Sequence, residues 1–134
     1  MAEDKLFYVG QKAFIEKDGE VLILLSTVGL DFPGGKIQIG EEDFNESLKR
    51  EVREETNLEI EVGPPFATWF WEYPPDHKRA GQPIYLVGYK CKYVSGEVKL
   101  SEEHDKFHWV NKNNFHEVNS NPIAYFEALQ KYFS

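Results

Sequence analysis

The stretch Gly34–Leu58 reads GGKIQIGEEDFNESLKREVREETNL, a glycine turn that passes through Gly40 into a segment dense in glutamate. At about 100° per residue, Phe44, Leu48 and Val52 fall on one apolar arc of a helix. Glu51 and Glu55 lie on or beside that arc, and Glu54 sits next to Glu51. Carboxylates spaced i, i+3 and i+4 repel one another by a few tenths of a kcal/mol per pair on an exposed helix. At the edge of a buried face the cost rises, because desolvation penalises unpaired charge. A hard divalent cation removes the conflict, since Mg²⁺ takes carboxylate oxygen and keeps water and phosphate oxygens as its other ligands. The alternative is a solvated acidic face with Arg50 and Arg53 as surface partners. The preceding glycine turn, and the position of the glutamates beside apolar residues, favour the metal.

Working outward, 134 residues is the length of one domain with one substantial core. With 41% hydrophobic and 15% aromatic residues the chain is globular and not disordered. A net charge of −8 argues against a general nucleic-acid-binding surface, which would be basic. It does not argue against a small phosphorylated ligand bridged by metal. The single cysteine, Cys91, excludes an internal disulfide and a cysteine-based zinc cluster. MAEDKLFYVG lacks the basic and apolar regions of a signal peptide. No apolar run approaches the roughly 18 residues of a membrane span, so a cytoplasmic protein is expected.

Before the central stretch, residues 5–16 read as a strand, Lys17-Asp18-Gly19 as a hairpin turn, and residues 20–26 as a strand covered on both faces. Lys12 interrupts the first strand, either facing outward or contacting phosphate at a pocket mouth. Asp43 or Glu42 opens the helix, and Asn57 stands where a left-handed C-cap is expected. Residues 58–62 read as a strand that Gly63-Pro64-Pro65 breaks, and residues 66–73 (FATWFWEY) as another. Residues 74–82 form a polar loop, residues 83–94 the clearest strand, and residues 98–100 a short extension. An acidic loop over 101–106 precedes a strand at 107–110, and NKNNF forms a helical turn. Asn121 is placed to cap a last helix with Pro122 at its first position. The buried stripe expected of that helix is Ile123, Phe126, Leu129 and Phe133.

Gly35, the glutamates at 41 and 42, and the block Arg50-Glu51-Val52-Arg53-Glu54-Glu55-Thr56-Asn57-Leu58 together resemble the signature of the Nudix hydrolases. Phe32-Pro33-Gly34-Gly35 and the later Glu103-His104…Trp109 are also similar to that family, so the likeness covers most of the chain. Two departures stand out. Counted from Gly35 the signature glutamate is Glu41, and counted back from Arg50 it is Glu42, so one extra residue sits at the helix entry. Gly40-Glu41 keeps the loop register and favours Glu41. Asn57 replaces the usual glycine, which C-cap chemistry allows.

The resemblance implies an α/β/α sandwich around a mixed sheet, in one domain over residues 1–134. It implies that Glu51, Glu54 and Glu55 hold Mg²⁺, or Mn²⁺ in its place, with Glu41 (or Glu42) assisting. In this scheme Arg50 orients a glutamate, and the Gly34-Gly35 backbone supports the metal loop and approaches substrate. The implied reaction is Mg²⁺-dependent hydrolysis of a nucleoside diphosphate linked to a further group X: a nucleoside triphosphate, a dinucleoside polyphosphate or a nucleotide sugar. Glu103 is the candidate base, with Glu102 and Asp105 as neighbours able to serve.

Candidate substrate contacts are Lys12 and Lys36, with Lys78 or Arg79 of the 74–82 loop able to close on a polyphosphate. Trp69, Trp71 and Tyr73 alternate on one strand face, where they either stack a nucleobase or pack the core. The arginine frequent after the second strand of the MutT-type branch is absent near Leu25-Ser26, and the substrate stays open. A nucleotide-sensing or protein-binding module on the same scaffold is the alternative to an enzyme, but such modules would have broken metal glutamates. The acidity disfavours an RNA-end hydrolase. The resemblance allows a homodimer, although no stretch marks an interface.

Overall fold

The computed structural model describes residues 2–134, with seven strands in one mixed sheet and a helix packed on each face. β1 (Tyr8–Lys17) is its axis. It runs parallel to β6 (Pro83–Ser95), which pairs antiparallel with the edge strand β5 (Glu59–Glu72). On its other side β1 forks. Residues Gly10–Lys12 pair with β4 (Gly34–Lys36), while Glu16 and Lys17 form a hairpin with β2 (Glu20–Ser26). β2 then pairs with both β3 (Gly29–Asp31) and β7 (Lys106–Val110). The fork leaves a cleft between strands, and the cavity described below opens there.

The two helices bury different halves of the sheet. α1 (Phe44–Thr56) lays Leu48 and Val52 on Ala13, Ile15, Leu22, Leu24 and Cys91. α2 (Ile123–Tyr132) covers Phe14, Ile23, Phe32, Trp69 and Leu86 from the other face. β6 shows both layers in one strand: Ile84 and Leu86 bury toward α2, whereas Cys91 buries toward α1. The expected layered architecture is therefore present.

Several local expectations need correction. Gly63-Pro64-Pro65 does not end a strand, and β5 runs through it with register shifts between Val62 and Pro65 and between Pro65 and Ala67. Proline is tolerated there because β5 lies at the sheet edge, where a missing N–H disrupts no ladder. Residues 98–100 are irregular and not a strand extension. Their backbone instead follows the end of α1, with Lys99 N–H donating to Thr56 O at 2.9 Å and Ser101 N–H to Glu55 O at 3.1 Å. The α2 stripe is Tyr125, Phe126, Ala128 and Leu129, and Ile123 is exposed. Asn121 does not cap α2 with its side chain; its carbonyl accepts from Leu30 N–H at 2.7 Å and ties the helix start to β3. Phe44, the first residue of α1, lies half-exposed instead of joining the buried arc.

Candidate active site

α1 is fixed at both ends by its own sequence. The Asp43 side chain accepts from Glu46 N–H at 3.1 Å, and Asn57 closes the helix in the left-handed region at φ 66°. The last turns of α1 thereby carry Glu51, Glu54 and Glu55 to the wall of a cavity of about 1020 Å³. β4 forms the adjoining wall. Gly34 presses so closely on β1 that a Cβ there would strike the Gln11 carbonyl oxygen at 1.9 Å. A Cβ on Gly35 would meet the Glu51 carboxylate at 2.6 Å, so the glycine makes room for that side chain.

Arg50 organises the acidic side. One of its terminal nitrogens donates to Glu41 Oε2 at 2.8 Å and to Glu51 Oε1 at 3.1 Å, and the other donates to Glu54 Oε1 at 3.0 Å. Glu41 also accepts from Gln38 N–H at 2.7 Å, and that hydrogen bond, followed by Arg50, holds its pKa below the ordinary value. Glu41 therefore is the carboxylate that engages Arg50, and the extra residue at the helix entry leaves Glu42 outside the network. Burial raises the Glu51 pKa, with Arg50 opposing the shift.

Glu55 is 8% exposed, and burial pushes its pKa up to about 7. Its Oε2 is buried without a hydrogen-bond partner, as is Nδ1 of His104 4.0 Å away. Among the described residues no three His, Cys, Asp or Glu side chains already converge as a metal-binding group. Arg50 draws Glu51 and Glu54 to itself, while Glu55 Oε2 accepts no hydrogen bond and has only the His104 ring nitrogen at 4.0 Å. A cation would supply the missing partner for Glu55, so the donor set is chemically suited to a hard divalent ion.

Lys12 lines the cavity instead of facing outward into solvent. Its side chain is largely buried, and its Nζ lies 2.9 Å from Asp31 Oδ1, while His104 Nε2 lies 2.8 Å from Asp31 Oδ2. Burial alone would raise the Asp31 pKa, but Lys12 and His104 overcome it and hold the group at about 2. Burial would lower His104 as well, yet the Asp31 hydrogen bond and charge raise it above its usual value. Asp31 was not singled out from sequence. A lone acid in the otherwise apolar run Gly29–Phe32 is the signal that marks it.

The segment between β6 and β7 brings Glu102 and Glu103 to the cavity, whereas Asp105 does not line it. The aromatic candidates separate. Trp69 is core, packed edge-on to Tyr125 at 5.2 Å, whereas Trp71 and Tyr73 line the cavity with Tyr8 and Tyr125. Lys36, Arg79 and Gln82 complete that wall, and Lys78 is not part of it. Tyr8, Gln82 and Tyr125 were invisible to sequence reasoning, because only the strand order brings them to the cleft.

The family model described as NUDIX domain matches residues 11–130. The CTP pyrophosphohydrolase of Escherichia coli (strain K12) is 30% identical over 105 residues, 72% of this chain and 70% of that protein. The crystal structure of the MutT protein from Methanosarcina mazei Go1 superposes with a TM-score of 0.77 at 25% identity, over 98% of each chain. An Ap4A hydrolase from C. elegans, solved as a binary complex, shares the fold with a TM-score of 0.72 at 20% identity, over 93% of this chain and 94% of that one.

Proposed function

The chain belongs to the NUDIX family and is a nucleotide pyrophosphohydrolase; from that premise we propose that it cleaves a phosphoanhydride bond in a nucleoside diphosphate linked to X, using Mg²⁺ or Mn²⁺. Nucleoside triphosphates are the first candidates, on the likeness to the CTP enzyme. One observation carries the reading. Glu51, Glu54 and Glu55 share one flank of α1 at the cavity wall, and the buried Glu55 has an oxygen with no partner.

Glu51, Glu54 and Glu55 would hold the ion. When bound, it polarises phosphoryl oxygens, acidifies the attacking water and neutralises the leaving phosphate. Arg50 keeps Glu51 and Glu54 oriented by charge-assisted hydrogen bonds, and Glu41 holds Arg50 in turn. Glu103 accepts the proton of the attacking water as the new O–P bond forms and the bridging P–O bond breaks. Trp71, at the cavity wall, offers a face for a nucleobase, a contact worth roughly 1–3 kcal/mol per base. Lys12, fixed by Asp31, presents its remaining N–H donors to the substrate.

The test is a panel of nucleotides assayed with Mg²⁺ or Mn²⁺, reading released phosphate and pyrophosphate. Turnover should vanish with EDTA and fall by about 10²- to 10³-fold in Glu54→Gln, as loss of several kcal/mol of metal-borne stabilisation requires. Glu103→Ala should depress turnover far more than metal affinity. Tight nucleotide binding with no turnover of any nucleotide would instead identify a binding module.

A further inference from the structure

Among the described residues, Lys36 and Arg79 are two cations on the cavity wall that pair with no carboxylate, in a chain with 23 acidic and 15 basic side chains. The other basic groups around this site are matched: Lys12 by Asp31, and Arg50 by three glutamates. Lys36 and Arg79 instead gather about one tyrosine. Lys36 Nζ lies 5.8 Å from the centre of the Tyr73 ring and 5.1 Å from that of Tyr8. The Arg79 guanidinium carbon also lies 5.8 Å from the Tyr73 ring, and its Nη1 donates to the Tyr73 hydroxyl at 3.3 Å. Tyr73 is itself stacked on His77 at 4.4 Å, and Lys36 donates to Gln82 Oε1 at 3.0 Å, so both ends of the 74–82 loop brace the arrangement. Burial and the neighbouring Arg79 hold the Lys36 pKa below its usual value. Two neighbouring cations that repel one another, with Lys36 half-buried and no carboxylate on either, suit an anion, because a negative group removes both the repulsion and the Lys36 desolvation cost.

We propose that Lys36 and Arg79 form a phosphate subsite, separate from the Glu51–Glu54–Glu55 cluster, that takes the outlying phosphate of a substrate carrying three or more phosphates in series. With His77 on one face of its ring, Tyr73 serves as the seat for these cations. The proposal rests on the phosphoanhydride-hydrolase reading and narrows it: nucleoside triphosphates and dinucleoside polyphosphates are preferred over nucleotide sugars, which have only two phosphates.

Two measurements decide it. Inorganic tripolyphosphate is titrated calorimetrically into the whole protein with EDTA at low ionic strength. Binding should weaken by about tenfold in Arg79→Ala and in Lys36→Ala, and largely persist in Arg79→Lys. With metal present, Arg79→Ala should raise KM about tenfold for triphosphates and dinucleoside tetraphosphates, while KM for nucleotide sugars stays within about twofold. Arg79 is an exposed loop residue, and a far-ultraviolet spectrum checks that the fold is retained. Tripolyphosphate binding that is absent, or equal in wild type and both alanine variants, overturns the subsite, as does a uniform KM change across both substrate classes. If the wild type binds tripolyphosphate as expected but hydrolyses no nucleotide, the subsite stands and the hydrolase reading falls.

Discussion

Arg50, behind the glutamates of α1, and Arg79, on the cavity wall, differ in what their charge meets. Arg50 donates to three carboxylates, all on α1 or the loop that enters it. Among the described residues the Arg79 guanidinium donates to a tyrosine hydroxyl and to no carboxylate, from a loop between β5 and β6. On the α1 side negative charge is in excess, and one buried oxygen of Glu55 is left over. Around Tyr73 positive charge is in excess. Each region is unfavourable alone, and the two call for opposite ligands: a cation for one, a phosphate for the other. A metal–polyphosphate complex brings both at once. The acidic side is set on a capped helix and a strand, which suits chemistry that tolerates little displacement; the basic side joins the end of β4 at Lys36 to the 74–82 loop at Arg79, and a loop suits selection of the incoming group.

The comparison breaks most sharply at Gly35. The backbone there needs no unusual φ, so Gly35→Ala acts only through its Cβ, which would push against the Glu51 carboxylate. A displacement of that size should lower kcat by about 10²-fold, as misplacement near 1 Å does in catalytic sites. Tripolyphosphate binding at Lys36 and Arg79 should be nearly unchanged. A Gly35→Ala enzyme of normal kcat would mean that the tight packing of Glu51 against β4 is irrelevant to turnover.

A second prediction concerns the excess negative charge. Glu55 has a folded pKa of about 7 against an ordinary 4.5, so the folded chain binds this proton more tightly than the unfolded one. The associated stability is fully present below about 4.5 and is lost as pH rises through about 7. His104, also raised, contributes in the same direction as pH climbs past its ordinary value. Asp31, held at about 2, changes stability only in acid, outside this window. Urea unfolding in EDTA should therefore show a loss on the order of 2 kcal/mol between about pH 5 and pH 8. Glu55→Gln should remove most of that loss, and saturating Mg²⁺ should offset it by binding the folded state. A flat profile in the metal-free wild type would show that Glu55 is not strained by burial.

These two regions also differ in how far the sequence discloses them. α1 was legible because everything that defines it is local: the apolar spacing of Leu48 and Val52, the Asp43 cap, the asparagine at 57, and three glutamates within one turn of each other. The likeness to a family then supplied roles that spacing could not. The Tyr73 region depends on β4, β5 and the 74–82 loop meeting, so sequence named Lys36, Tyr73 and Arg79 without showing that they share one ring. The Lys12–Asp31–His104 chain was hidden for the same reason, since Asp31 and His104 lie 73 residues apart. β5 was misread at Gly63-Pro64-Pro65 because the effect of proline depends on whether a strand has a neighbour on that side. In α2 the helical period was right, but the choice of Tyr125 over Ile123 for the buried face is made by the sheet beneath it.

The smallest effect is expected at Asn57, where the α1 side departs from the usual glycine. Asn57 sits at φ 66°, its N–H donates to Arg53 O at 2.9 Å, and its Nδ2 donates to Glu97 O at 3.2 Å. A non-glycine residue in this region costs roughly 1–2 kcal/mol, which asparagine partly escapes through local hydrogen bonding. Asn57→Ala retains the cost and removes the side-chain bond, so it should destabilise the protein by about 1 kcal/mol and lower Tm by about 3–5 °C. Asn57→Gly relieves the backbone while losing the same bond, and should stay within about 0.5 kcal/mol of wild type. Neither change touches the carboxylates, so kcat at saturating metal should hold in both. If Asn57→Ala lowered kcat as well as Tm, the C-cap would have to be counted among the features that position Glu54 and Glu55, and the acidic side would extend one turn further than its contacts with Arg50 mark out.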